Sequence, residues 1–251
     1  MKTKYFFCCL IGMLFIFCGT KVHAQNSIFL SQGKIEFEKK INLYAQIDDD
    51  EDQGWKDLMR KTMPQFKVTY FNLEFNNNKT LYKPGRENPD NNKLWEQAAE
   101  DNVVFTDLSN AQSSSQKRVF EQTFLVQDST RKIQWKITDE KRIIAGFECR
   151  RANALIMDSI YVVAFYTDAI ITSGGPESFT GLPGIILGVA IPHEHITWFA
   201  TKVYTENISD ADLVAPTRGK KVNNVSLKTT LQSATKDWGK WGKRYVQAMM
   251  L

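Results

Sequence analysis

The 251-residue sequence predicts an α+β protein: one mainly antiparallel, strongly curved meander sheet, half-open and barrel-like, with one helix in its N-terminal half and one at its C-terminus. Three observations carry this. Residues 133–203 are short apolar strands joined by short turns, a connectivity that pairs neighbours antiparallel. Residues 33–43 alternate apolar and charged side chains with the period of a half-buried strand. Leu227, Leu231, Ala234, Trp238, Trp241, Tyr245 and Met249 recur at helical spacing.

The chain opens with Lys2 and Lys4, an apolar run over 5–17 and Val22-His23-Ala24, the pattern of a secretory signal peptide over 1–24 cleaved after Ala24. The expected mature chain is then one β-rich domain over 25–251, periplasmic or associated with the outer membrane. Lipidation at Cys18 would need a small residue before it, and Phe17 is bulky. Loss of Lys2, Lys4 and Lys21 with the leader turns a formal charge of +4 into +1, so the charge footprint of a nucleic-acid binder is absent. Cys149 becomes the one remaining cysteine, which excludes an intramolecular disulfide and suits a small buried hydrophobe. No later run reaches the roughly 18 apolar residues of a membrane span.

Ile35 and Phe37 alternate with charges, and Ile41 and Leu43 resume the alternation after Lys39-Lys40. The acidic run at 48–52 invites a calcium loop, but Gln53 stands where such a loop needs Gly and Met59 where it needs Glu. Acids are better placed at the start of a helix over 52–63, with Trp55, Leu58, Met59, Thr62 and Met63 on one face and Pro64 ending it. Residues 66–75 read as a strand with Val68, Tyr70 and Leu73 inward. The polar stretch 76–101, with Pro84, Gly85 and Pro89 and broken by Leu94-Trp95, reads as a long hairpin insertion or loop. Residues 103–107 and 118–126 read as strands paired around a turn at Ser113-Ser114-Ser115. Ile133, Trp135 and Ile137 share a strand that turns at Asp139-Glu140. Cys149, Ala152 and Ala154 lie on a later strand beside 160–167. Ser226 is placed to cap the C-terminal helix, which Gly239 and Gly242 weaken by about 1 kcal/mol each.

The chain is organised around Gly181-Leu182-Pro183-Gly184-Ile185-Ile186. Pro183 fixes φ and Gly184 tolerates a positive one, so 182–185 predicts a type II turn feeding the apolar strand 185–191, covered on both faces. On this hexapeptide the chain resembles the GLPGLI family of secreted Bacteroidota proteins, with Ile185 in place of a Leu. Residues 124–128, Trp135-Lys136-Ile137, Gly146-Phe147-Glu148-Cys149, Tyr166-Thr167, Gly175-Pro176 and Ala200-Thr201-Lys202 extend the resemblance over 28–220. The resemblance implies an envelope protein, often beside outer-membrane receptors, and no activity that can be transferred to named residues. At fold level the curved sheet is similar to the half-open barrel of periplasmic lipoprotein carriers, which implies an inner surface able to hold an apolar ligand.

Catalytic constellations are wanting. Ser178 is outside any G-x-S-x-G elbow, and Glu177 has no second carboxylate fixed beside it. His193 and His195 on an extended strand would share a face and form two ligands of a zinc or copper site, or else a polar hairpin tip. Trp238 and Trp241 with Lys240 and Lys243 predict a contact surface for a partner or an anionic membrane, or a docked helix with a basic back. The expected function is a non-catalytic cell-envelope binding or accessory protein without a cofactor, holding an apolar ligand or assisting an outer-membrane receptor. The alternative is a metal-binding or metal-dependent enzyme at His193 and His195.

Overall fold

The computed structural model describes residues 29–47, 52–91 and 97–251; the expected leader, acidic residues 48–51 and Leu94-Trp95 lie outside them. Twelve strands form one sheet: β1 (Gly33–Asn42), β2 (Phe66–Phe75), β3 (Lys79–Pro84), β4 (Val103–Asp107), β5 (Gln112–Val119), β6 (Gln122–Ser129), β7 (Lys136–Ile144), β8 (Phe147–Ile156), β9 (Ile160–Thr167), β10 (Ile185–Ile191), β11 (Ile196–Tyr204) and β12 (Lys220–Val222). The order across the sheet is β12-β6-β5-β4-β3-β2-β1-β11-β10-β9-β8-β7, and β12 on β6 is the one parallel pair among the described strands. The antiparallel meander predicted from sequence is therefore present as two meanders, β1 to β6 and β7 to β11. They are joined where β1 pairs with β11.

Curvature follows from this order. Strands β6 and β7 lie ten interstrand steps apart, a path of about 48 Å along the sheet. Yet the link from Ser129 to Lys136 can span only about 25 Å when fully extended. The sheet must curl to bring its two sides within that reach, and it does so without closing into a barrel. Its inner surface is filled by Ile35, Phe37, Phe71, Leu73, Phe75, Phe179 and Trp198, all buried.

The helices are α1 (Leu43–Gln46), α2 (Gln53–Thr62), α3 (Asn224–Ala234) and α4 (Gly239–Met250). The Asp52 carboxylate caps α2 by accepting from the Gly54 and Trp55 N–H groups, which is why the helix begins there. Only Met59 of its apolar face is buried; Trp55 and Leu58 are exposed. The single C-terminal helix expected from spacing is two. Asn223, not Ser226, is the cap of α3, and Gly239 at φ +56° breaks the helix before α4. Gly242 lets α4 lie against the end of α3, since a Cβ there would sit 2.5 Å from the Thr235 carbonyl oxygen.

Four strand expectations change. Register pairs Phe37 with Phe71 and Ile35 with Leu73, so β2 turns Phe71, Leu73 and Phe75 inward and leaves Val68 and Tyr70 half-buried. The polar stretch contains β3, reached by a turn in which the Asn76 side chain accepts from Asn78 and Lys79 N–H. The serine run lies within β5, and the chain reverses instead at Phe120, at φ +53°. Asp139-Glu140 sit inside β7 at a register shift, the turn falling at Ala145-Gly146, at φ +48° and +87°. Strand β10 is buried on both faces, as expected.

Candidate functional site

The Leu-Pro-Gly bend is tighter than a type II turn: the Gly184 N–H donates to Leu182 C=O at 2.8 Å, and Ile185 N–H donates to Ile170 C=O at 3.0 Å. Gly184 is indispensable to it. At φ +142° a Cβ would lie 2.1 Å from the Thr167 carbonyl oxygen. Leu182, Ile185 and Ile186 are buried, while Gly181 is exposed and packs under the Trp135 ring, whose Nε1 donates to Thr180 O at 2.9 Å.

The bend ends a loop over 168–184 that crosses the inside of the sheet. Gly174 passes against Thr80 and Gly175 against Ile186, both too closely for a Cβ. Glu177 then adopts a left-handed φ of +50°, unusual for a side chain of its size. It is 2 % exposed, and its carboxylate reaches the inward face of β1.

There it meets Lys39, 3 % exposed. Lys39 Nζ lies 3.7 Å from Glu177 Oε1, an ion pair longer than a hydrogen bond, and donates to Ala99 O at 3.2 Å. It also stands 5.2 Å from the Trp198 ring centroid and 5.8 Å from that of Phe71. Asn102 Nδ2 donates to the other Glu177 oxygen at 3.2 Å. Desolvation lowers the Lys39 pKa even though Glu177 and Glu100 pull it up. Burial, and then the Glu177 charge, push the Tyr82 phenol well above its usual value. Tyr82 Oη, Trp198 Nε1, Asn102 Oδ1 and Glu177 Oε1 are all buried without a hydrogen bond of normal geometry. Buried polar groups are seldom left so, and a cluster of them with shifted pKa values makes this a candidate site.

Beside this centre lies a cleft of about 360 Å³ between β1, β10, β11 and α4. Lys39, Ile41, Ile160, Ile191, Ile196 and Trp198 line its depth, and Trp238, Trp241, Tyr245 and Arg244 its mouth. Trp238 and Trp241 are 47 % and 45 % exposed. Phe120 stacks on Tyr245 with centroids 5.3 Å apart, and Trp238 meets both rings edge-on. Arg244 Nε stands 3.9 Å from Glu194 Oε2 across the mouth.

The other candidates are dispersed. Lys240 is exposed, and Lys243 faces a different groove between α3 and α4. Of the predicted contact residues, only the two tryptophans meet at the cleft. His193 lies in a 3-10 turn over Pro192–Glu194 and His195 is left-handed at φ +55°, so the extended geometry expected of the pair is absent; both are exposed. Among the described residues, no three of His, Cys, Asp and Glu gather as metal ligands. Cys149 is buried, its thiol pushed up to about 12 by desolvation. Glu177 has a buried lysine as its near partner where sequence reasoning seeks a carboxylate. That reasoning misses Lys39 itself, although it shares the phase of Ile35, Phe37 and Ile41. A lysine on the inward face of an alternating strand is the available signal.

A family model described as "Protein of unknown function (Porph_ging)" matches residues 154–188. The match takes in β9, the Glu177 loop and the Leu-Pro-Gly bend. No curated protein matches the chain in sequence. Among solved structures, PNGF-II in two crystal forms is similar in fold, at TM-scores of 0.51 and 0.52 and 16 % and 15 % identity, over 80 % and 79 % of this chain. This chain spans 33 % and 32 % of the length of those structures. An uncharacterized conserved protein from Thermus thermophilus aligns at a TM-score of 0.40 and 6 % identity, over 79 % of this chain and 93 % of that one.

Proposed function

We propose that the chain is a non-catalytic binding protein of the cell envelope that holds an apolar ligand in the cleft under α4. The observation that carries this is the cleft itself: isoleucine-walled in its depth, aromatic at its mouth, with a few polar side chains placed among them. Ligand sites are concave and mostly apolar, with a small number of oriented polar groups. The rest of the inner surface is occupied by the protein's own aromatic side chains and by the 168–184 loop, so the ligand sits at the mouth rather than running through the sheet. In this reading residues 1–24 are a cleaved leader, residues 25–251 one domain of the GLPGLI type, and the mature protein is periplasmic or bound at the outer membrane. The tryptophans at the mouth serve as the contact by which ligand enters from a membrane or from an outer-membrane receptor.

Native mass spectrometry of mature protein purified from the envelope, followed by solvent extraction, tests the proposal. A co-purifying amphiphile released on denaturation is the expected result. Tryptophan fluorescence should also change saturably when a long-chain amphiphile is added. Protein that carries nothing and shows no saturable change would overturn the assignment.

A further inference from the structure

A second polar centre lies apart from the cleft, in a niche of about 40 Å³ between β4, β5, β6 and the end of α4. Its walls include Thr106, Ser115, Thr180 and Ser178, and two cations, Lys117 and Arg131, project into it. Lys117 is 5 % exposed.

The partners of these cations are unusual. The other buried lysines each face a carboxylate: Lys39 faces Glu177 at 3.7 Å and Lys67 faces Glu100 at 2.5 Å. Lys117 Nζ donates to the Met249 carbonyl at 2.6 Å, and no carboxylate among the described side chains lies within ion-pair distance. Arg131 Nη2 donates to the Met250 carbonyl, and its Nη1 is buried without a partner. Two cations thus donate to neutral carbonyl oxygens, in a setting where charges are normally paired; Leu251, whose oxygen accepts from the Ser178 hydroxyl, shares the same lining. Lys117 falls to about 8, chiefly through desolvation; the Glu177 carboxylate pulls it up, and the Arg131 and Lys39 charges push it further down.

We infer that this niche is a binding site for a small oxyanion, a phosphate or carboxylate group held by Lys117 and Arg131. The fit is chemical and steric. A planar guanidinium with a free Nη1 and a neighbouring ammonium match the oxygens of such a group. Thr106, Ser115 and Thr180 supply hydroxyls that donate to oxyanions. A space of this size holds about three waters, which is the footprint of a carboxylate or phosphate. The outer lip at Ser129, Thr130 and Asn224 is exposed or half-buried, which gives a small ion a way in. Asp128 also lines the niche, but its oxygens already accept from the Ser129 and Asn224 N–H groups.

The oxyanion can come as a free ion or as the head of a lipid, and the test separates the two. Mature protein is titrated with inorganic phosphate against chloride at matched ionic strength by isothermal calorimetry. A parallel set is sedimented with phosphatidylglycerol vesicles against phosphatidylcholine vesicles. Saturable phosphate binding that weakens at least tenfold in both Arg131→Gln and Lys117→Met supports a free-ion site. Sedimentation with the anionic vesicles alone, lost in the same variants, supports a headgroup site. Circular dichroism confirms that the variants are folded, and Arg131→Lys, which keeps the charge but not the fork, should recover part of the affinity. Binding absent in both sets, or unchanged in both variants, overturns the inference. Loss of the cleft ligand in Trp241→Ala would leave it untouched, because Trp241 lines the cleft and not the niche.

Discussion

The buried pair at the base of the cleft offers a direct test of how the 168–184 loop is held. Two unit charges 3.7 Å apart interact by about 4 kcal/mol at an effective dielectric of about 20. Neutralising either partner alone leaves the other charge buried, a change that typically costs about 3–5 kcal/mol. In Glu177→Gln, Lys39 keeps only the Ala99 carbonyl as a hydrogen-bond acceptor. In Lys39→Met, Glu177 keeps only the Asn102 amide. The double variant carries neither charge into the interior and should be far less destabilised than the two singles together. Urea unfolding of all four proteins, followed by tryptophan fluorescence and circular dichroism at pH 7, gives the coupling as a double-mutant cycle. A coupling of at least about 2 kcal/mol is expected, whereas additivity within about 0.5 kcal/mol would refute the pair as an interacting unit.

Three further outcomes follow from particular contacts. Gly184→Ala should prevent folding or cost more than about 4 kcal/mol, since its Cβ would lie 2.1 Å from the Thr167 oxygen; a soluble variant with an unchanged urea midpoint would contradict this. Lys117 is lowered to about 8 from 10.5, so between those values the unfolded chain binds a proton that the folded chain has shed, and this residue's contribution to stability rises with pH. The unfolding free energy of wild type minus that of Lys117→Met should therefore rise by on the order of 3 kcal/mol from pH 8 to 10.5, and a flat difference would contradict it. The difference is the quantity to follow, because Cys149, raised to about 12, acts with the opposite sign in wild type and variant alike. Trp241→Ala should weaken binding of an apolar ligand while leaving the urea midpoint within about 0.5 kcal/mol of wild type, because the side chain is already half in solvent.

The fold was legible where a single face decides the pattern. The alternation of β1, the two-sided burial of β10 and the acid-capped α2 each follow from local chemistry, and the structure contains them. Turn positions were not legible, because Phe120, Ala145 and Ala111 adopt left-handed φ without being Gly or Asn. Only strand pairing imposes those conformations. The break between α3 and α4 rests on Gly239, whose cost was foreseeable but whose consequence was not. The site was harder still. Lys39, Asn102, Tyr82 and Trp198 come from four separate strands or loops, and Glu177 reaches them only because Gly174 and Gly175 let the backbone pass where a side chain could not. Period-two reasoning could have flagged Lys39, and with it Lys117, in phase with Ser115 and Val119.

Because β1 lies between β2 and β11, the first strand synthesised completes its pairing only after nearly the last. The Thr201 hydroxyl bonds Glu36 across 165 positions of chain. One edge of that strand therefore stays bare until a segment about 165 positions later is in place to pair with it. An extended ribbon with open amides is a template for unwanted association. The outward positions of β1, Lys34, Glu36, Glu38 and Lys40, are all charged, a composition that disfavours such pairing.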